Sequence, residues 1–357
     1  MQSAGDPIDS AAMPPGTKKA LVVAVKLALT LLVFWWLFTK SGISPSDLLA
    51  EIKGIDPARF VPWLLVAVAV KLVGIFANIR RWQLLLHGQD LLLPFRYLAG
   101  SFFVGRFFGI VTPGTLGLDG FKLYDTIRAT RKPVECAAVI FIDKVIGLVS
   151  LIALLVVVFP LGWKLVPQLD ATKAAIVFGG MVVASAGFFA VLLAPALTRP
   201  LLRLVPTARL KGFATRVFDA TTAYSGHRGD LIQAVGLAVV GHFTTALMYW
   251  GILMGISAGA PDVGLVLFSA LLMTSATLVG PTVGGEGIRE FVFVKLLAGM
   301  VPPTRAFLFG HIGFWIEKGL LGVPGGIIYA LRKEAWSGPV TRADLDKLQA
   351  ELASDGT

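Results

Sequence analysis

With 357 residues, 55% of them hydrophobic and only 15% charged, the chain is too apolar for a soluble domain, where roughly a quarter of residues carry charge. A mean hydropathy of +0.77, with apolar stretches near the roughly 20 residues that cross a hydrocarbon core, marks an all-α polytopic membrane protein. The single cysteine, Cys136, excludes a disulfide framework or a Cys-rich zinc site, and four histidines without close spacing argue against a His-based metal site. The net charge of +10 would suit nucleic acid in a soluble chain, but here the bases flank apolar segments, so topology accounts for them and no nucleic-acid partner is expected.

Residues 1–17, rich in Pro, Gly, Ser and Asp, read as a disordered cytoplasmic leader. Lys18 and Lys19 then introduce the run Ala20 to Phe38. It is too long for the apolar core of a signal peptide and has no small-residue cleavage site after it, so it is read as an uncleaved first span. Further spans are expected at about Phe60–Ile79, Val134–Phe159, Ala174–Leu197, Leu231–Gly255 and Ala306–Leu331. Two other apolar regions, about Tyr97–Tyr124 and Leu265–Ala298, are interrupted by Pro113-Gly114 and by Gly280-Pro281 with Gly284-Gly285. A proline inside a helix costs about 3 kcal/mol, and broken backbone at membrane depth is tolerated only where protein or a water-filled cavity covers it. Each region is therefore read as a re-entrant pair of half-helices. The expected architecture is about six transmembrane helices plus two broken re-entrant hairpins.

The basic residues orient this layout. With the N-terminus inside, the inner segments hold Lys18-Lys19, Arg80, Arg81, Arg96, Arg128, Arg131, Lys132, the Arg199–Arg228 segment, and Arg332, Lys333, Arg342 and Lys347. The outer segments hold Lys40, Lys53, Arg59, Lys164, Lys173 and Arg305, which leaves a threefold excess on the inner side. Both termini then face the cytoplasm of a cell (inner or plasma) membrane. From Arg199 to Arg228 the chain reads either as a basic amphipathic helix on an anionic leaflet or as a solvated loop. The tail, residues 332–357, holds a capping box from Thr341 to Asp344 and is expected to form a short cytoplasmic helix.

The two halves resemble each other. Val111 to Lys122 aligns with Val279 to Arg289 across a one-residue gap, matching Pro113 with Pro281, Asp119 with Glu286, Gly120 with Gly287 and Lys122 with Arg289. Downstream, Ile142-Asp143-Lys144 matches Ile316-Glu317-Lys318. The expected topology makes the two units inverted: repeat one at about 60–197, repeat two at about 231–331, joined by the basic segment 198–230 within a transporter-like region 18–331. Inverted repeats with discontinuous helices are the pattern of secondary transporters, whose substrate site lies at the repeat interface.

A charge at the centre of a membrane helix costs about 2.5–3.5 kcal/mol even on the lenient scale. The chain nevertheless keeps Arg106, Asp119, Lys122, Asp143, Lys144, Glu286, Arg289, Glu290, Glu317 and Lys318 at such depths, along with Lys26, Lys71 and Lys295, which can snorkel. These charges either staple the repeats as buried ion pairs or line a polar cavity for a charged headgroup. The helix ends that follow Pro113-Gly114 and Gly284-Gly285 would expose free amides beside Lys122 and Arg289, a geometry that favours phosphate or carboxylate. Lys122 and Arg289 are expected to converge on one midplane cavity, and Glu290, without a match in the other half, is the expected proton carrier. The pairs Gly251/Gly255/Gly259, Gly105/Gly109 and Gly322/Gly326 read as close helix packing. Arg80-Arg81-Trp82 reads as an interfacial anchor or as a contact for lipid phosphates. Walker, GxSxG, HExxH and dinucleotide motifs are absent from the sequence, so no cofactor and no catalytic residue is expected.

Gly105-Arg106-Phe107-Phe108, Pro113-Gly114, Gly117-Leu118-Asp119 and Lys122, then Asp143-Lys144, and finally Gly284-Gly285-Glu286-Gly287 with Arg289-Glu290, resemble the signatures of the lysylphosphatidylglycerol synthase transmembrane (flippase-like) family. The resemblance spans roughly Leu21 to Leu331. It departs at Leu118, where a second Gly is common, and at Lys122 and Lys144, where Arg is common. It implies movement of an aminoacylated phospholipid, another phospholipid or a polyprenol-linked lipid between leaflets. No soluble aminoacyl-transferase domain is expected after Leu331, so the chain reads as a transporter and not an enzyme. The expected partner is a membrane lipid with an anionic or zwitterionic headgroup. The residues it would contact include Pro113, Gly114, Pro281 and Gly285 beside the charged set above. The alternative is an accessory subunit that presents lipid to a separate lipid-modifying enzyme, and a homo-oligomer remains open.

Overall fold

The computed structural model describes residues 15–111, 116–166, 168–193, 198, 200, 207–257, 259–279, 282 and 285–331. Among them every regular element is helical. In chain order these are α1 (Pro15–Lys40), α2 (Pro45–Lys53), α3 (Pro57–His87), α4 (Phe95–Val111), α5 (Leu116–Thr130), α6 (Pro133–Gly162) and α7 (Ala171–Leu193). Then come α8 (Ala208–Thr222), α9 (Arg228–Ile256), α10 (Val263–Val279), α11 (Ile288–Leu296), α12 (Pro303–Phe314), a π-helical turn (Trp315–Leu320) and α13 (Val323–Leu331).

Local chemistry sets several of the starts. Proline opens α2 and α3, where its missing N–H costs nothing. The Ser44 and Asp56 side chains cap these helices, accepting from the amides of Asp47 at 3.1 Å and Ala58 at 3.0 Å.

Five stretches are long and apolar enough to cross a membrane: Pro57–His87, Pro133–Leu165, Ala171–Leu192, Arg228–Ile256 and Pro303–Leu331. They coincide with five of the six spans expected from hydropathy. The remaining one, Ala20–Phe38, falls within α1, and here the chain bends by 81° between Leu27–Lys40 and Pro45–Lys53. If that bent pair is taken as one crossing, the spans number six among the described residues.

The two interrupted regions do stop where proline and glycine stand. Helix α4 ends at Val111 and α5 begins at Leu116, while α10 ends at Val279 and α11 begins at Ile288. Pro113, Gly114, Gly280, Pro281 and Gly284 lie outside the described residues, as do the leader up to residue 14 and the tail from 332. The members of each pair pack against each other, and none of the four reaches the length of the spans above. The basic segment after residue 198 contains a helix, α8, which buries Val217 and Phe218 and leaves Lys211 exposed.

The centre of the fold is the antiparallel pair α3–α9, in contact from Phe60 against Gly255 to Asn78 against Gly241, with Gly88 against Tyr224 just beyond both helices. A Cβ on Gly74 would lie 2.1 Å from the Thr244 hydroxyl, and one on Gly241 would lie 2.9 Å from Asn78. In a membrane such close approach is the main source of helix–helix attraction, because lipid tails are as apolar as leucine. The glycine pairs expected to serve packing largely do so: Gly251 and Gly255 meet α3, Gly105 meets Leu118, and Gly326 meets Phe107. Around Gly259 nothing stands within 4 Å. Outward-facing Leu31, Leu65, Val157, Ile176 and Val183 are exposed, as a lipid-facing surface requires.

Candidate functional site: two buried charge groups along α3

The first group is built on Asp143, about three turns into α6 and nearly inaccessible. Its Oδ1 accepts from Arg81 Nε of α3 at 2.7 Å, and its Oδ2 accepts from Lys122 Nζ of α5 at 2.7 Å. The Lys122 ammonium also stands 4.7 Å from the centroid of the Trp82 ring, a cation–π contact. One carboxylate thus holds two bases and keeps no oxygen spare. At the next residue of α6, Lys144 pairs with Asp119 at 2.5 Å, and this lysine side chain is 42% exposed.

The second group is built on Glu317, in the π-helical turn. Its Oε1 accepts from Lys71 Nζ of α3 at 2.7 Å; Lys71 also donates to the Thr245 hydroxyl of α9 at 2.7 Å. Arg106 of α4 donates through Nη2 to the backbone carbonyl of Glu317. A π turn shifts the backbone ladder by one residue, which frees carbonyls for partners of this kind. Lys318, the following residue, points back toward α4, with its ammonium 4.0 Å from where a Cβ on Gly109 would stand.

Arg289 completes this group differently. It is 3% exposed, its guanidinium carbon lies 5.0 Å from the centroid of Phe314, and Tyr249, Glu290, Glu317 and Glu286 act on it electrostatically. Its Nε and Nη1 nevertheless have no hydrogen-bond partner among the described residues. A buried cation with unused donors is costly to hold, whereas a bound oxyanion would satisfy both.

Glu290, fully buried on the same turn of α11, accepts from the Gly287 amide at 2.7 Å. The first turn of α11 therefore carries its own carboxylate where the sequence suggested an external anion. Gly285 and Gly287 there have φ of 80° and 79°, a conformation that glycine adopts without strain. Glu290 Oε1 lies 3.9 Å from His311 Nδ1, and neither atom has a hydrogen-bond partner among the described residues. Trp315 Nε1, which can only donate, hydrogen-bonds His311 Nε2 at 2.9 Å, so the proton of a neutral His311 sits on Nδ1, facing that carboxylate.

The expected residues thus separate into two sets. Asp119, Lys122, Asp143 and Lys144 belong to the first group, and Arg106, Arg289, Glu290, Glu317 and Lys318 to the second, with Glu286 half-buried beside it. Lys71 and Arg81 mark the two levels on α3, ten residues or about 15 Å apart at 1.5 Å per residue. Lys122 pairs with Asp143 in the first group, whereas Arg289 lies with Glu290 and Glu317 in the second. Pro113, Gly114 and Pro281 lie outside the described residues, and Gly285 shapes a turn. Sequence reading missed Arg81, taken as an interfacial anchor, and Lys71, taken as a snorkelling base. The signal for Lys71 was its position in mid-span without a nearby acid.

Long apolar helices, glycine-packed seams and charges buried at two depths define an all-helical, multi-pass membrane protein. The chain belongs to the Lysylphosphatidylglycerol synthase TM region family, whose model matches residues 23–316. That family is a membrane region associated with lipid aminoacylation and flipping, and the match identifies no catalytic domain. No curated protein matches the chain.

Proposed function

We propose that the chain moves a lipid with an anionic or zwitterionic headgroup between leaflets, and that the two base-rich groups are successive stations for its phosphate or carboxylate. Arg289 carries this reading: a desolvated guanidinium with two donors unpaired among the described residues, beside Lys71, Arg106 and Lys318, is a site short of one anion. In this scheme the α4–α5 and α10–α11 pairs are re-entrant hairpins of two inverted repeats, with both termini in the cytoplasm. The matched acids Asp143 and Glu317 lend support, since each sits in its own half beside the matched base, Lys122 or Arg289. Spacing of about 15 Å, half the hydrocarbon thickness of about 30 Å, suits a headgroup handed from one level to the other.

The test is purified protein in liposomes carrying a headgroup-labelled anionic phospholipid on one leaflet. The label should change leaflets with this chain alone. If movement requires an added lipid-modifying enzyme, the chain is an accessory subunit that presents lipid to that enzyme.

A further inference from the structure

We propose that one end of the α3–α9 pair is a divalent metal site of the zinc class, formed by His87, His227 and Asp230. His87 is the last residue of α3, His227 immediately precedes α9, and Asp230 stands in the first turn of α9. The three donor atoms lie within 4.8 Å of one another. His87 Nδ1 is 2.7 Å from Asp230 Oδ2, His227 Nδ1 is 3.4 Å from the same oxygen, and the ring centroids are 5.1 Å apart. Two imidazoles and a carboxylate are a donor set zinc uses when it keeps a fourth position open.

The spacing fits such an ion. Bonds of about 2.0–2.1 Å to a tetrahedral ion put ligand atoms about 3.3 Å apart. His227 and Asp230 already have that separation. Between His87 and Asp230 the distance is that of a hydrogen bond, so the ion would take the place of the shared proton and the two side chains would part slightly. The His87–Asp230 pair supplies two of the donors, and the His227 nitrogen, turned toward the same oxygen at 3.4 Å, supplies the third.

The backbone beneath the site is tied together through Tyr224. The Tyr224 hydroxyl donates to the Leu85 carbonyl at 2.8 Å, and its ring occupies the space a Cβ on Gly88 would need, at 2.4 Å. The His227 amide donates to the Tyr224 carbonyl at 2.9 Å, so one buried tyrosine ties together the segments that bear both histidines. Access is open: the His87 side chain is 49% exposed, and a cleft of about 500 Å³ lined by Arg80, His87 and Asp230 adjoins the site. The open position would face that cleft, where Gln83 accepts from Arg80 at 2.5 Å, leaving room for water or an anionic ligand.

The full chain in detergent, stripped with a chelator, is titrated with Zn²⁺ against a chromophoric competitor, and with Co²⁺ while its visible spectrum is recorded. One Zn²⁺ per chain is expected, together with an intense tetrahedral Co²⁺ band. Affinity should fall in acid, because protons compete with the metal for the imidazole nitrogens. His87→Ala and His227→Ala should each weaken Zn²⁺ at least as much as the roughly 10–100-fold seen when outer-shell partners are removed. Cys136→Ser should leave binding unchanged, and Zn²⁺ should raise the thermal midpoint of the parent but not of the double His variant. No saturable binding, or equal affinity in the parent and the double variant, overturns the site. So does a double variant that unfolds earlier without metal while the parent gains nothing from Zn²⁺, because the cluster is then an ion pair only.

Discussion

Arg289 and Lys122 occupy matched positions in the two halves, yet their surroundings predict opposite behaviour. The Lys122 ammonium is held by Asp143 and the Trp82 ring, whereas two Arg289 nitrogens make no hydrogen bond among the described residues. Arg289→Ala should therefore leave the thermal midpoint in detergent unchanged or raised. Lipid movement should slow by roughly ten- to hundredfold, the equivalent of about 1.5–3 kcal/mol for lost hydrogen bonds to a charged group. A lowered midpoint with normal movement per folded molecule would make Arg289 a staple. Asp143→Asn works the other way: it leaves Arg81 and Lys122 buried without their shared carboxylate, a loss of about 3–5 kcal/mol of the kind that follows when one partner of a buried pair is removed. Thermal unfolding of that variant at its parent's midpoint would show that the group is wetter than its burial indicates. Glu290 and His311 face each other within the second group, and Glu290→Gln should blunt any dependence of lipid movement on a pH gradient if protons drive it. Equal rates with the gradient intact and collapsed, in parent and variant alike, would remove protons from the scheme.

Among the elements, the π-helical turn Trp315–Leu320 and the glycines around it determine how the second group is assembled. The turn presents the Glu317 carbonyl to Arg106, and just beyond it α13 closes on α4 so tightly that a Cβ on Gly325 would lie 1.9 Å from the Phe103 carbonyl oxygen. Backbone stands on both sides of that contact, so no rotamer change can relieve it. Gly325→Ala should destabilise the protein by about 1–3 kcal/mol, as overpacking does, and should displace Arg106 from Glu317. A midpoint equal to the parent's would mean that the α4–α13 contact is loose. By contrast Gly259, grouped with Gly251 and Gly255 by spacing alone, has open space around it and should accept Ala without effect.

For the whole molecule the open question is which way it faces. The excess of basic residues at one set of helix ends predicts that Ser44→Cys and Ala260→Cys, in a Cys136→Ser background, react with an impermeant reagent added outside, while Ser225→Cys and Ser337→Cys do not. Protection of Ala260→Cys would put the second hairpin on the same side as the first and end the inverted-repeat reading. With this orientation the α3–α9 end that carries His87 and His227 faces the cytoplasm, and the 81° bend between α1 and α2 lies outside.

Hydropathy and helix length made much of this legible before any coordinates. Five of the spans, the family, and the presence of charges at membrane depth follow from the sequence, because a bilayer demands about 20 apolar residues per crossing and makes every exception conspicuous. The interruptions near Pro113 and Pro281 were legible for the same reason, since proline cannot continue a helix without loss. Pairing was not. That Lys122 meets Asp143 and Arg81 while Arg289 goes without a hydrogen-bond partner for two of its nitrogens depends on which helices pack, and at what depth. The histidines are the clearest case. Residues 87 and 227 stand 140 positions apart, and nothing local links them, so spacing argued against a metal. Their rings come within 5.1 Å only because α3 and α9 run antiparallel along a glycine-lined seam, which brings the end of one helix to the start of the other.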